Sequence, residues 1–90
     1  MLNTLEELIK LIRERKKSSS ENSYTNKLLN DRKFSLKKVK EEVVELIEAV
    51  ENRSNTVHEA ADVLYHLVVY LEANNINIED VMAELEKRKK

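Results

Sequence analysis

Ninety residues with no Gly, Pro, Cys or Trp leave few architectures open. Without Gly there is no phosphate-cradling P-loop and no G-x-G-x-x-G dinucleotide fingerprint, since both need backbone positions that only Gly tolerates. Without Cys there is no disulfide framework, thiolate zinc site or cysteine nucleophile, and a net charge of −1 argues against general nucleic-acid binding.

Charged residues are 37% of the chain and aromatics 4%, so the core must be aliphatic, and no breaker interrupts a helix. This is an all-α composition, expected to form one domain over residues 1–90. Thr4-Leu5-Glu6-Glu7 reads as a capping box opening a first helix, whose stripe is Leu5, Leu8, Ile9, Leu11 and Ile12 and which ends near Lys16. Ser18–Ser23 is a polar connection. A short helix over Tyr24–Leu29, capped by Ser23, is broken by Asn30-Asp31. The third helix runs from near Ser35 to about Glu51, with Leu36, Val39, Val43, Leu46, Ile47 and Val50 as its apolar face.

After a turn at Asn52–Asn55, Thr56-Val57-His58-Glu59 reads as a second capping box. It opens a fourth helix to about Ala73, which Asn74-Asn75 ends because Asn accepts the left-handed conformation. Asn77 is placed to cap the fifth helix, with Val81, Met82 and Leu85 expected to face inward ahead of a basic tail. Between Ala60 and Leu71 the fourth helix is apolar or Tyr everywhere except Asp62 and His66. Such a helix has to be buried nearly all round. Five short helices cannot enclose it, so a homodimeric helical bundle of about five helices per chain is expected. No apolar run reaches bilayer length and Met1-Leu2-Asn3 opens no signal peptide, so no membrane association and a cytoplasmic location are expected.

Charge is sharply divided along the chain. Tyr24–Lys40 holds six bases and one acid; Glu41–Asp62 holds seven acids and one base. Glu41, Glu45 and Glu48 share a narrow sector of the third helix, and Glu42 sits between that sector and the apolar stripe. Taken alone, this pattern also describes a solvated acidic face. Glu59 and Asp62 alter that reading: they are spaced i, i+3 on the helix that must be buried, with no Lys or Arg between Thr56 and Glu86 to pair with them. Buried ionised carboxylates cost several kcal/mol unless compensated. A divalent cation between two antiparallel helices, held by Glu42, Glu45, Glu59 and Asp62, would compensate all four. Oxygen-only ligands suit Mg²⁺, or Mn²⁺, rather than zinc. The capping-box role offers Glu59 a structural alternative, but none to Asp62.

Ser23-Tyr24-Thr25, the segment Leu36–Glu45 with its paired glutamates, and Glu59-Ala60-Ala61-Asp62-Val63-Leu64-Tyr65-His66-Leu67 together resemble the phosphoribosyl-ATP pyrophosphatases, among the all-α, MazG-like nucleotide pyrophosphatases. The resemblance spans nearly the whole chain. This sequence departs from the family pattern at Lys40 and at Asn30-Asp31, where Gly is usual; neither position is an acidic ligand. The resemblance implies Mg²⁺-dependent hydrolysis of phosphoribosyl-ATP to phosphoribosyl-AMP and pyrophosphate, the second step of histidine biosynthesis. It assigns Glu42, Glu45, Glu59 and Asp62 to the metal and Glu41 to a water-orienting or supporting role. Lys38 foremost, then Lys37, Arg32 and Lys33, would meet the phosphates, and each has solvated surface as its alternative. Tyr24 would stack on adenine or pack locally. His66, one turn beyond Asp62, would support a ligand carboxylate or be an interior histidine with its hydrogen bonds satisfied. Two other functions fit the same sequence: a house-cleaning pyrophosphatase acting on ordinary or damaged nucleoside triphosphates, and a non-catalytic helical dimerisation module.

Overall fold

The computed structural model describes residues 2–18 and 23–89; Ser19–Asn22 of the expected polar connection lie outside them. Five helices follow one another: α1 (Asn3–Lys17), α2 (Tyr24–Asn30), α3 (Arg32–Asn52), α4 (Thr56–Ala73) and α5 (Ile78–Arg88), with no strand among the described residues. The fold is all-α, as the breaker-free composition requires.

Three turns replace the glycine and proline signals that the sequence lacks. Asp31 ends α2 and caps α3, its carboxylate accepting from the Phe34 amide at 3.0 Å. That cap starts α3 three residues before the expected Ser35, and Asp31 alone forms the corner, Asn30 being the last residue of α2. At the end of α3, Ser54 N–H donates to the Ala49 carbonyl and Arg53 N–H to that of Val50, with Arg53 left-handed at φ 54°. The end of α4 repeats the pattern, Ile76 N–H to Leu71 and Asn75 N–H to Glu72, with Asn75 at φ 58°. Both are Schellman closures in which Arg and Asn occupy the position usually taken by Gly.

Helix starts were less legible. Ser23 caps α2 as expected, accepting from the Asn26 amide. The Thr4 box does not form, because Thr4 already lies inside α1 behind Leu2. Nor does the Thr56 box: Thr56 is the first helical residue of α4, Asn55 precedes it at φ 55°, and no side chain caps the helix. Asn77 likewise contributes no side-chain cap to α5. Thr4 and Thr56 sit inside their helices, past the position from which a side chain caps, whereas Asn77 occupies that position without making the bond.

The core joins Ile9 and Ile12 of α1, Leu28 and Leu29 of α2, and Val68 and Val69 of α4, with Leu5, Leu8, Phe34, Tyr65, Ala73 and Ile78 around them. Asn26 is buried at the α1–α2 junction, where its amide donates to the carbonyls of Arg15 at 2.7 Å and Ser18 at 3.2 Å. Arg13 ties three helices together. It bonds buried Glu72 of α4 at 3.2 Å and Glu79 of α5 at 2.6–2.7 Å.

Two expectations about packing are corrected. Met82 and Leu85 of α5 do not face inward; both are about half exposed, and no residue of α5 is buried. On α3 the buried positions are Ser35, Glu42 and Ala49, one every seven residues. The apolar stripe of Val43, Ile47 and Val50 faces outward and, with Leu64 and Leu67 of α4, remains exposed on the chain alone.

Candidate metal centre

The seven-residue seam on α3 is what puts Glu42 inside. A three-residue turn folds α4 back along α3, and Glu42 faces that helix with only 6% of its surface exposed. Glu45 follows one turn later, and Glu59 approaches from the first turn of α4. Glu42, Glu45 and Glu59 each bring a carboxylate oxygen within 4.8 Å of the others. Among the described residues, Oε2 of Glu42 and Oε2 of Glu59 are buried with no hydrogen-bond partner. Because the capping box on Thr56 does not form, Glu59 is not spent on the helix start.

Electrostatics follow from this crowding. Burial, and then the neighbouring Glu45 carboxylate, pushes the Glu42 carboxyl above its usual range. Glu59 moves the same way for the same two reasons, with Asp62 adding to it. Among the described residues one ammonium is nearby: Lys38 Nζ lies 3.2 Å from Glu41 and 3.7 Å from Glu42. One ammonium cannot neutralise this cluster, and a buried carboxylate without a partner is costly.

The remaining expected residues fall in different places. Asp62 is half-buried and lies in a second group with His58 and Glu59, again within 4.8 Å; its Oδ2 lies 3.3 Å from His58 Nε2. Glu59 is common to both groups. Glu41 is engaged by Lys38, while Glu45 and Glu48 line shallow depressions on either side of α3's acidic sector. Lys37, Lys33 and Arg32 are exposed and form no ion pair among the described residues. They precede the carboxylates on the same helix.

His66 is buried, and both of its ring nitrogens are used. Nδ1 lies 2.7 Å from the Asp62 carbonyl, which can only accept, so Nδ1 carries the proton. Nε2 then accepts from the Tyr24 hydroxyl at 2.8 Å. This is the interior histidine with its hydrogen bonds satisfied, bonded to the backbone of Asp62 rather than to a carboxylate. Tyr24 is packed locally. Its ring stacks near Tyr65, meets Phe34 and His66 edge-on, and stays 45% exposed. Tyr65 in turn hydrogen-bonds Thr25. Sequence reasoning missed His58 as part of the constellation. Its i, i+4 spacing to Asp62 was the available signal, but the capping-box reading had absorbed it.

Known proteins match this chain over nearly its full length. The family described as phosphoribosyl-ATP pyrophosphohydrolase matches residues 5–89. A phosphoribosyl-ATP pyrophosphatase of Methanoculleus marisnigri is 45% identical over 93 residues, covering 98% of this chain and 96% of the relative. One from Methylobacterium nodulans is 49% identical over 88 residues, 94% of this chain and 82% of the relative. A histidine biosynthesis bifunctional protein of Pyrococcus furiosus is 43% identical over 90 residues, and there the chain spans 99% of itself but 43% of the relative's length. No solved structure matches. The chain belongs to the phosphoribosyl-ATP pyrophosphohydrolase family, hydrolases of a phosphoric anhydride.

Proposed function

We propose that this chain is a Mg²⁺-dependent phosphoribosyl-ATP pyrophosphatase. It cleaves phosphoribosyl-ATP between the α- and β-phosphates, giving phosphoribosyl-AMP and pyrophosphate, in the second step of histidine biosynthesis in the cytoplasm. The observation that carries the metal reading is the pair of buried carboxylate oxygens, on Glu42 and Glu59, that no group among the described residues satisfies. A hard divalent cation meets that need, and the donors are all carboxylate oxygens, which suits Mg²⁺ and also Mn²⁺.

Glu42, Glu45 and Glu59 would hold the cation, with Asp62 completing the set from the next turn of α4. A cation held there would neutralise phosphate charge and lower the pKa of a bound water. Glu41, on the rim and steadied by Lys38, is placed to orient that water. Lys38 has two carboxylates for partners and can exchange one for a phosphate oxygen when a cation relieves Glu42. Arg32, Lys33 and Lys37 extend the positive surface back along α3, where a long polyanionic substrate would lie. No Gly-rich loop exists to cradle the phosphates, so these side chains must do so.

A homodimer fits the same surface. Val44, Ile47 and Val50 of α3 and Leu64 of α4 are each more than half exposed, side by side on the helix pair that carries the carboxylates. A contiguous apolar face of this kind is covered in a stable soluble protein. A second copy of the chain covers it by twofold symmetry.

The test is pyrophosphate release from phosphoribosyl-ATP, dUTP, dCTP and ATP, each with and without Mg²⁺. We expect phosphoribosyl-ATP to be preferred and activity to require the ion. Preference for a plain nucleoside triphosphate would replace this reading with the house-cleaning one. No release from any substrate, together with no Mg²⁺ binding, would leave a non-catalytic module.

A further inference from the structure

We propose that Tyr24 is a positioning residue for the carboxylate centre: acting through His66, its hydroxyl fixes the turn of α4 that carries Asp62. This deepens the metal-dependent reading given above and rests on it.

Ser23-Tyr24-Thr25 and Tyr65-His66 are segments that the proposed reaction leaves without a task, and the fold brings them together. Two successive residues of α2 grip two successive residues of α4. The Tyr24 hydroxyl lies 2.8 Å from His66 Nε2, and the Thr25 hydroxyl bonds that of Tyr65. The rings lock around one another, Tyr24 close to parallel with Tyr65 and His66 edge-on to both. Ser23 anchors the start of α2 from the other side, its hydroxyl accepting from Arg15 of α1 at 3.0 Å.

One of these two bonds continues toward the carboxylates. His66 Nδ1–H donates to the Asp62 carbonyl at 2.7 Å, an oxygen to which the helical repeat also brings the backbone N–H of residue 66. Two donors on one carbonyl hold the peptide that follows Asp62, and with it the root of the Asp62 side chain. The imidazole does this in a single orientation, because both of its nitrogens are engaged. His66 is buried, so bulk water is a poor substitute for the Tyr24 hydroxyl, and a buried acceptor left bare is costly. Without that hydroxyl the ring turns to seek another donor, and the hold on Asp62 loosens. The hydroxyl also lies in the field of Lys38, Glu41 and Glu42, so the link runs beside the buried glutamate. Among the described residues, the Thr25–Tyr65 bond makes no such connection: Tyr65 bonds nothing on the turns that carry the carboxylates.

The experiment compares wild type with Tyr24→Phe, which keeps the ring and removes only the hydroxyl, and with Thr25→Val, which removes the neighbouring bond. Circular dichroism and thermal melts of the metal-free proteins check the fold, and both variants should melt somewhat below wild type. Mg²⁺ is titrated calorimetrically, and kcat and KM are measured for phosphoribosyl-ATP. Groups that orient metal ligands from behind are worth about 10–100-fold in affinity or activity; Tyr24 acts one bond further out, so Tyr24→Phe should weaken Mg²⁺ binding about three- to tenfold. It should also lower kcat while leaving KM within about twofold of wild type, since the substrate's own contacts are untouched. Thr25→Val should leave Mg²⁺ affinity within about twofold, as expected of an independent site. In a His66→Leu background, where the link is already cut, Tyr24→Phe should add less than about twofold. Equal losses of Mg²⁺ affinity in Tyr24→Phe and Thr25→Val would reduce the clamp to general packing and overturn the proposal. So would unchanged Mg²⁺ affinity and kcat in Tyr24→Phe, or its full effect persisting in the His66→Leu background. A wild type that neither binds Mg²⁺ nor hydrolyses phosphoribosyl-ATP would overturn the metal reading as well, which the other outcomes leave standing.

Discussion

Glu42→Gln should make the metal-free protein more stable and the metal-loaded protein less so, a reversal that a merely structural glutamate would not produce. In the metal-free chain Glu42 is buried, has one oxygen without a hydrogen bond, and lies beside the carboxylates of Glu45 and Glu59. Lys38 at 3.7 Å offsets part of the cost. Gln removes the charge and brings two N–H donors to oxygens that lack them. An unsatisfied buried polar group costs about 1–3 kcal/mol, so, with Lys38 discounted, a gain of about 1–2 kcal/mol is expected. In a domain of this size that raises Tm by about 5–15 °C.

Because burial and Glu45 push the Glu42 carboxyl up, its penalty is complete at pH values above the folded-state pKa. The penalty fades as pH falls toward the usual carboxylate range, and the advantage of Gln should fade with it. Mg²⁺ acts in the opposite direction. At a free concentration one hundred times its dissociation constant, it stabilises the wild type by about 2.7 kcal/mol; the variant, with a ligand neutralised, should gain little. Thermal melts of both proteins at neutral pH and near pH 5, with and without Mg²⁺, provide the assay. The reasoning fails if Glu42→Gln lowers the metal-free Tm while keeping the full Mg²⁺ shift.

Three further outcomes follow from other parts of the molecule. Arg13→Met should destabilise the fold by about 2–4 kcal/mol in urea melts, because it strands the buried Glu72, and Glu72→Gln in the same chain should recover much of the loss. Arg13 also holds the Glu79 carboxyl down at about 2. The stability from that pair is present above the ordinary carboxylate range and is lost as pH falls from about 4.5 to about 2; a pH series on Arg13→Met should lose that acid-side slope. Ile47→Glu, on the exposed apolar face, should convert a dimer to a monomer in sedimentation or gel filtration while the helical circular dichroism persists; a wild-type protein that is already monomeric would refute the dimer. Lys38→Met should tighten Mg²⁺ binding, since it removes a competing cation from Glu42, yet raise KM for phosphoribosyl-ATP by about tenfold, the value of one charge-assisted hydrogen bond. An unchanged KM would remove Lys38 from the substrate site.

Where the sequence succeeded and failed has a common physical basis. Asp31 and Ser23 were legible as punctuation, and Ser23 does cap, because a short polar side chain beside a helix start has few other uses. Thr4, Thr56 and Asn77 carry the same local signal without forming the bond. A cap depends on which residue stands at the helix boundary, and at Thr4 and Thr56 the helix begins earlier than the local signal places it. Likewise the apolar period of α3 correctly announced an amphipathic helix. Periodicity does not say which face the chain's own helices cover, and here they cover Ser35, Glu42 and Ala49 instead of the aliphatic stripe.

Composition and spacing alone determined an aliphatic, all-helical chain without glycine loops, with Glu-x-x-Glu and Glu-x-x-Asp on two successive helices. Those properties are local, written in residue types and in the 3.6-residue period. Tertiary structure decided that Glu42, Glu45 and Glu59 converge while Asp62 falls in with His58. It also decided that Glu59 is left free of any capping duty and that the aliphatic stripe of α3 faces outward. Each of these depends on the rotation of one helix against another. For α3 that rotation is the one that buries Ser35, Glu42 and Ala49, and packing between helices sets it, which no single helix encodes.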